Sequence, residues 1–198
     1  MIVGFFDSIL GRSKPVQPDL DALFRLPGAA LNLEAAMGMV PSGTGAVAFR
    51  APAGRAFDEV QDEIEMLLSA PDRDGTPGPQ VEITTDDFGY TWLVLQHDPR
   101  DVPGLVTDLH AVNATLKDTG FGSTLLCSLI SLRRPDGGAA ALIYLFKQGT
   151  FYPFAPLPGQ DQRRDNMLEL QMRDLVASEL PVEPTLGRWF AVWGAPGL

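Results

Sequence analysis

A single cysteine, Cys127, stands in the 198 residues. No internal disulfide can form, so the fold must rest on a packed core. Cys127 lies in the apolar run "STLLCSLISL", a setting for a buried, inert thiol, because a reactive one needs an electropositive, partly exposed site. This cysteine usage points to the cytosol. Histidine is almost as scarce, with only His97 and His110. A metal centre draws on clustered His, Cys or carboxylate ligands. His110, in "DLHAVN", lacks the glutamate and second histidine of a zinc-protease helix. Asp108, two residues before it, belongs to another helix face. His97, in "QHDPRD", falls at a strand end.

The nucleotide and hydrolase signatures are missing too. There is no Gly-x-Ser-x-Gly elbow, Walker pattern or dinucleotide fingerprint. The stretches "GFGS" and "PSGTGA" precede strands, whereas phosphate cradles precede helices. The acid pairs Asp86–Asp87 and Glu63–Glu65 fall in a turn and on a polar helix face. No catalytic set, cofactor or metal site is expected. No run approaches the ~18 apolar residues of a membrane span. The opening "MIVGFFDSILGRSK" does not read as a secretory signal: it has no basic start, it carries Asp7 within its apolar run, and no small-residue cleavage site follows.

Basic residues are few, 15 against 25 acidic, for a net charge of −10. That balance argues against nucleic acid or an anionic membrane as the main partner. Residues 55–101 hold 12 acidic and 3 basic side chains, a net of −9, while the remainder holds 13 and 12, a net of −1. One region is therefore strongly acidic. It reads as a solvated face, with a surface for a basic partner as the alternative.

What the chain has is ordinary globular material, 45% hydrophobic, punctuated by 20 glycines and 17 prolines that predict many turns. Residues 1–14 form an N-terminal amphipathic segment. In it Ile2, Phe5, Phe6, Ile9 and Leu10 share one helical face, and a "GRSKPVQP" linker follows. Such a helix docks on the body, on a partner or on a membrane surface. Residues 15–198 read as a single α+β domain, or as two half-domains over 19–70 and 80–180 with an aromatic tail at 183–198. "PDLDALFRLP" predicts a short helix ended by Pro27, and "AALNLEAAMGMVPSGTGAVAFRAP" predicts two short strands around a turn at "PSGTG". Phe57, Val60, Ile64, Leu67 and Leu68 follow helical spacing. "QVEITTDD" and "YTWLVLQH" predict a hairpin. Leu105, Leu109, Val112 and Leu116 stripe a helix over 102–119, with Gly120 as its stop. "STLLCSLISLRR" and "AALIYLFKQG" predict a second hairpin around "PDGG". A last helix runs through "DQRRDNMLELQMRDLVASEL". Strands arriving in hairpins predict a mainly antiparallel sheet with helices packed on it.

"KQGTFYPFAP", residues 147–156, carries three aromatics away from a buried strand. Proline cannot donate to a sheet ladder, so the strand should stop near Pro153. Phe151, Tyr152 and Phe154, with Trp189 and Trp193 of the tail, then either cap the sheet or form a rigid groove for a partner helix or peptide. Together with Phe5 and Phe6 they are the candidate partner-binding residues.

The segments "GFFDSILGRSKPVQPDLDALFRLPGAALNLEAA", "DDFGYTWLVL", "LVTDLHAVNATLKDTGFGSTLLCSL", "IYLFKQGTFYPFAP", "RRDNMLELQMRDLVASELPVE" and "RWFAVWGAPGL" together resemble the actinobacterial PspA-associated protein PspAB family over nearly the whole chain, with the weakest match around residues 55–80. The resemblance implies a non-enzymatic accessory protein of envelope maintenance. It would be linked to PspA, a membrane-stress coiled-coil protein, and to an HtpX-like membrane protease. It would be cytoplasmic and peripheral to the inner face of the membrane, and the family provides no catalytic residues. The order of strand pairs and helices is also similar in architecture to the small chaperones of type III secretion systems. The alternative is a small hydrolase or ligand-sensing domain using His110 or His97.

Overall fold

The computed structural model describes residues 18–52, 54–69, 78–159 and 162–198. The predicted N-terminal segment, with Phe5 and Phe6, lies outside the described residues. The described chain starts with a 3-10 turn, Leu20–Arg25, that runs into α1, Leu26–Met37. This differs from the expected helix stop at Pro27 and the expected strand after it. Pro27 occupies the first turn of α1, where its fixed φ suits a helix and its missing N–H would have been unpaired anyway. Alanine, leucine, glutamate and methionine then favour continuation. Gly38 closes α1 in the left-handed region at φ 64°, its N–H donating to the Glu34 carbonyl at 2.9 Å.

The second expected strand is real but longer: β1 spans Val40–Phe49 and absorbs "PSGTG" without turning back. Its register against the neighbouring strand shifts between Pro41 and Gly45, as a bulge does. After β1 comes α2, Arg55–Ser69, which buries Phe57, Val60, Ile64 and Leu68 and leaves Leu67 exposed. The predicted hairpin forms from β2, Gln80–Thr85, and β3, Thr91–Gln96. Next is α3, Val102–Leu116, capped by Asp101, whose carboxylate accepts the Gly104 N–H at 2.9 Å. All four residues of its predicted stripe are buried. Past one further wide turn, Gly120 takes φ 92°.

The strands β4, Leu125–Arg133, and β5, Ala139–Leu145, form the second hairpin. The chain then turns back instead of leaving the sheet. Thr150–Phe154 pairs antiparallel with β5 as a further strand, β6. A strand does end near Pro153, since β6 stops at Phe154, but the aromatics have not left the sheet: Pro153 is itself paired with Leu142, which is allowed because β6 is an edge strand. The Phe151 N–H points outward, to the Pro181 carbonyl at 2.8 Å. Pro153, two residues on, therefore sits where an N–H would also point away from β5, and its missing donor breaks no ladder bond. Lastly α4, Asn166–Val176, is capped by Asp165, which accepts the Leu168 N–H at 3.1 Å.

The six strands form one antiparallel sheet in the order β2-β3-β1-β4-β5-β6, so the architecture is α+β as expected from the hairpins. One face is covered by helices and the other in part by the C-terminal tail, which explains why β3, β4 and β5 read as nearly continuous apolar runs. One face carries Val47, Phe49, Leu93, Leu95, Ile130, Leu142, Tyr144 and Phe151 and packs against the helices. The other carries Ala46, Ala48, Trp92, Val94, Cys127, Leu129, Ile143, Tyr152 and Phe154, with Trp189 and Ala195 of the C-terminal tail laid over it. Among the described residues, no helix is long and apolar enough to cross a membrane.

Candidate groove on the tail-covered face

The tail covers only part of its face. Beside it runs a groove of about 670 Å³, whose lining includes Trp92, Cys127, Leu145, Tyr152, Phe190, Val192 and Trp193. Three pieces of chain shape it. The first is the β2–β3 connection, where Asp86 organises the turn. Its Oδ1 accepts the backbone N–H groups of Phe88 and Tyr90, both at 2.9 Å, and its Oδ2 accepts the Trp92 indole N–H at 2.9 Å. Partial burial works to raise the Asp86 pKa. The Trp92 indole and the Tyr90 and Phe88 amides outweigh it and hold the carboxyl below the usual range. One charged side chain therefore fixes both the loop and the indole that floors the groove, and it stays ionised well into acid.

The second piece is the C-terminal tail. Its rings are anchored by their polar tips: the Trp189 indole donates to the Glu183 carbonyl at 3.0 Å, and the Tyr152 hydroxyl donates to the Phe190 carbonyl at 2.9 Å. Trp189 stacks on Tyr152 with centroids 6.0 Å apart, and Trp193 meets Phe154 edge-on at 5.0 Å. The third piece is the β5–β6 turn, which places Lys147 and Gln148 on the groove's edge. A shallower depression adjoins it, sharing Tyr90, Leu126 and Lys147 and adding Arg50. The floor itself is chemically quiet. Burial pushes the Cys127 thiol up to about 12, so it is protonated at neutral pH, and burial likewise raises Tyr152 far above the ordinary phenol value.

The five described residues expected at a partner surface thus take different places. Phe151 points to the helix-covered face and packs on Tyr144 at 5.0 Å. Tyr152, Phe154 and Trp189 are buried between sheet and tail, and Trp193 is half-buried on the groove wall. The two aromatic segments do meet each other and cap the sheet. Two groove residues carried no expectation: Phe88 and Phe190 are 62% and 60% exposed. The sequence held a signal for the first, since a phenylalanine at the tip of "DDFG" has no strand neighbours to bury it.

The histidines lie elsewhere. His97 Nε2 is 2.9 Å from Asp108 Oδ2, and its Nδ1 is 3.6 Å from Asp101 Oδ2. The side chain is thus flanked by carboxylates at both nitrogens. His110 Nε2 is 3.3 Å from Asp21 Oδ1, and its ring packs on Phe24 at 4.8 Å. Neither lines the groove. Among the described residues, no group of three or more His, Cys, Asp or Glu converges as a metal site.

Compared with known proteins, residues 3–197 match the family model described as PspA associated protein B. No curated protein matches, and no solved structure matches, so the likeness to type III secretion chaperones is one of element order alone.

Proposed function

Because the chain belongs to the PspA associated protein B family, we propose that it is a non-catalytic interaction protein of the PspA membrane-stress system. It works beside PspA at the inner face of the membrane, where an HtpX-like membrane protease is a further candidate partner. The groove is the contact surface, and it receives an apolar helical stretch of PspA.

One observation carries this reading. The groove is lined by large rings whose polar tips are already bonded within the protein: Trp92 to Asp86, and Tyr152 to the Phe190 carbonyl. Such rings form a nearly buried, fixed floor that asks nothing of a ligand but shape. Phe88 and Phe190 stand on this surface and are open to solvent. Exposed aromatics beside a desolvated floor have the character of interface hot spots.

The test is the affinity of PspA for the Phe88→Ala/Phe190→Ala variant, in a titration of the purified proteins. Both residues are exposed, so the fold should survive, which circular dichroism checks. Affinity should drop at least tenfold, about 1.4 kcal/mol. Unchanged affinity in a folded variant would remove the groove from the interaction.

A further inference from the structure

We infer that the groove and the depression beside it form one site for a single-chain lipid phosphate. The acyl chain lies on the aromatic floor, and the phosphate sits at Arg50 and Lys147.

The register of the sheet brings these two cations together. β1 and β5 flank β4, and both end where β4 begins: Phe49 pairs with Leu125, and Leu145 pairs with Cys127. Side chains alternate along a strand, and Ala48 and Leu145 belong to the groove side. Arg50 and Lys147, each two residues further on, follow them onto that side and line the depression, with Lys147 on the groove as well. Tyr90 stands at the junction and lines both. The Arg50 guanidinium lies 5.4 Å from the centre of the Tyr90 ring, which steadies the cation without neutralising it.

Charge sets the polar end of the ligand. The chain carries a net charge of −10, yet among the described residues no carboxylate lines the depression, and neither Arg50 nor Lys147 is in an ion pair. Asp86, on the groove, has both oxygens engaged by the Trp92 indole and the Phe88 and Tyr90 amides. A phosphate monoester carries about −1.5 to −2 at neutral pH, which matches two cations better than a carboxylate does. Two cations on so acidic a molecule are too few to hold it on an anionic bilayer, but they suffice for one headgroup.

Shape sets the apolar end. The groove's volume of about 670 Å³ falls within the roughly 300–1,000 Å³ of small-molecule sites. Its floor is apolar, and the Trp92 and Tyr152 rings within it have their polar tips already bonded. Phe88 and Phe190 stand on it 62% and 60% exposed, and an acyl chain laid across the floor would cover them. The same floor is the surface proposed above for PspA, so lipid and PspA exclude one another there. That exclusion rests on the proposed function, whereas the lipid site does not.

The experiment is equilibrium dialysis of the full-length protein against oleoyl lysophosphatidic acid, held below its micelle-forming concentration. The expected result is saturable binding of one molecule per chain. Monoolein, which lacks the phosphate, and glycerol phosphate, which lacks the chain, should each bind at least tenfold more weakly. Arg50→Ala/Lys147→Ala should lose at least tenfold in affinity for the lysophosphatidic acid. Both side chains are exposed, so the fold should survive, which circular dichroism checks. Equal affinity for monoolein or for glycerol phosphate, an unchanged affinity in the folded variant, binding to anionic vesicles only, or no binding would overturn the inference. PspA affinity, measured with the lipid saturating, should drop at least tenfold. Lipid binding with unchanged PspA affinity would leave the lipid site standing and remove the groove from the PspA contact. No lipid binding, together with lost PspA affinity in Phe88→Ala/Phe190→Ala, would remove the lipid site and leave the proposed function intact.

Discussion

Arg164 ties three parts of the chain with one guanidinium. Its Nε donates to Glu169 Oε1 at 2.9 Å, its Nη1 donates to the Trp189 carbonyl at 2.6 Å, and its plane lies 4.9 Å from the centre of the Phe154 ring. Glu169 is almost fully buried and accepts the Ala155 N–H through the same oxygen, at 2.9 Å. An arginine just before a helix is misplaced against the helix dipole, and here the misplacement has a cause: the side chain reaches away from α4 to hold β6 and the tail. Removing it would strand a buried carboxylate, which costs more than losing the pair as a whole. Arg164→Ala should therefore lower stability by about 3–5 kcal/mol. Glu169→Gln, whose amide oxygen can still accept the Ala155 N–H, should lose only about 1–3 kcal/mol. Urea midpoints of the two variants check the order. Equal losses would mean that the carboxylate's charge is not what Arg164 serves.

At the scale of elements, the difficulty for a sequence reading lay where glycine and proline play roles other than ending a segment. The helices α2, α3 and α4 and the hairpins β2–β3 and β4–β5 announce themselves by periodicity and turn residues, because each is amphipathic or bounded by a strong turn. α1 does not: its proline sits at the start instead of the end, and its small alanines hide the buried stripe of Leu26, Ala29, Ala30 and Leu33. β6 does not either, since only its edge position makes Pro153 harmless, and edge positions are set by distant pairing. The groove shares this fate. Its aromatics were visible, but which of them face the helices and which face the tail follows from the register of β6 on β5. β1 is the sharpest case, where "PSGTG" looks like a turn and is a bulge. Gly43 sits there at φ 87°, and a Cβ on it would lie 2.3 Å from the His97 carbonyl oxygen, while its own carbonyl accepts the His97 N–H at 2.9 Å. That close approach leaves no room for a side chain. Gly43→Ala combines backbone strain with a clash against main chain and should cost at least about 2 kcal/mol. Gly187→Ala, at a position where φ is not positive and a Cβ would meet nothing within 4 Å, is the matched control and should be near neutral. Thermal midpoints of the pair decide it.

At the scale of the whole molecule, the sheet order joins what the chain order separates. β1, which follows the first helix, lies in the middle of the sheet between β3 and β4 and is paired on both sides from Phe49 back to Gly45, with a shift against β4 between Ala48 and Phe49. Within the sheet, the hairpin β2–β3 and the strands β4–β6 are therefore joined through a strand contributed by residues 40–49. The helix-covered core likewise draws Leu23 and Leu33, Ile64, Leu109 and Met172 from along the described chain. Two half-domains over 19–70 and 80–180 would each leave one edge of β1 or its neighbours unpaired and an apolar sheet face open, a state that favours aggregation over independent folding. We propose that residues 18–198 form one cooperative unit. Equilibrium unfolding in urea should then give coincident transitions for far-UV circular dichroism, which follows the helices and sheet throughout, and for tryptophan fluorescence, which follows Trp92, Trp189 and Trp193 on the groove face. An earlier fluorescence transition would show that the tail and groove loosen while the helix-covered layer persists. In that case the contact surface, and whatever binds it, would be governed by a local equilibrium separate from the stability of the fold.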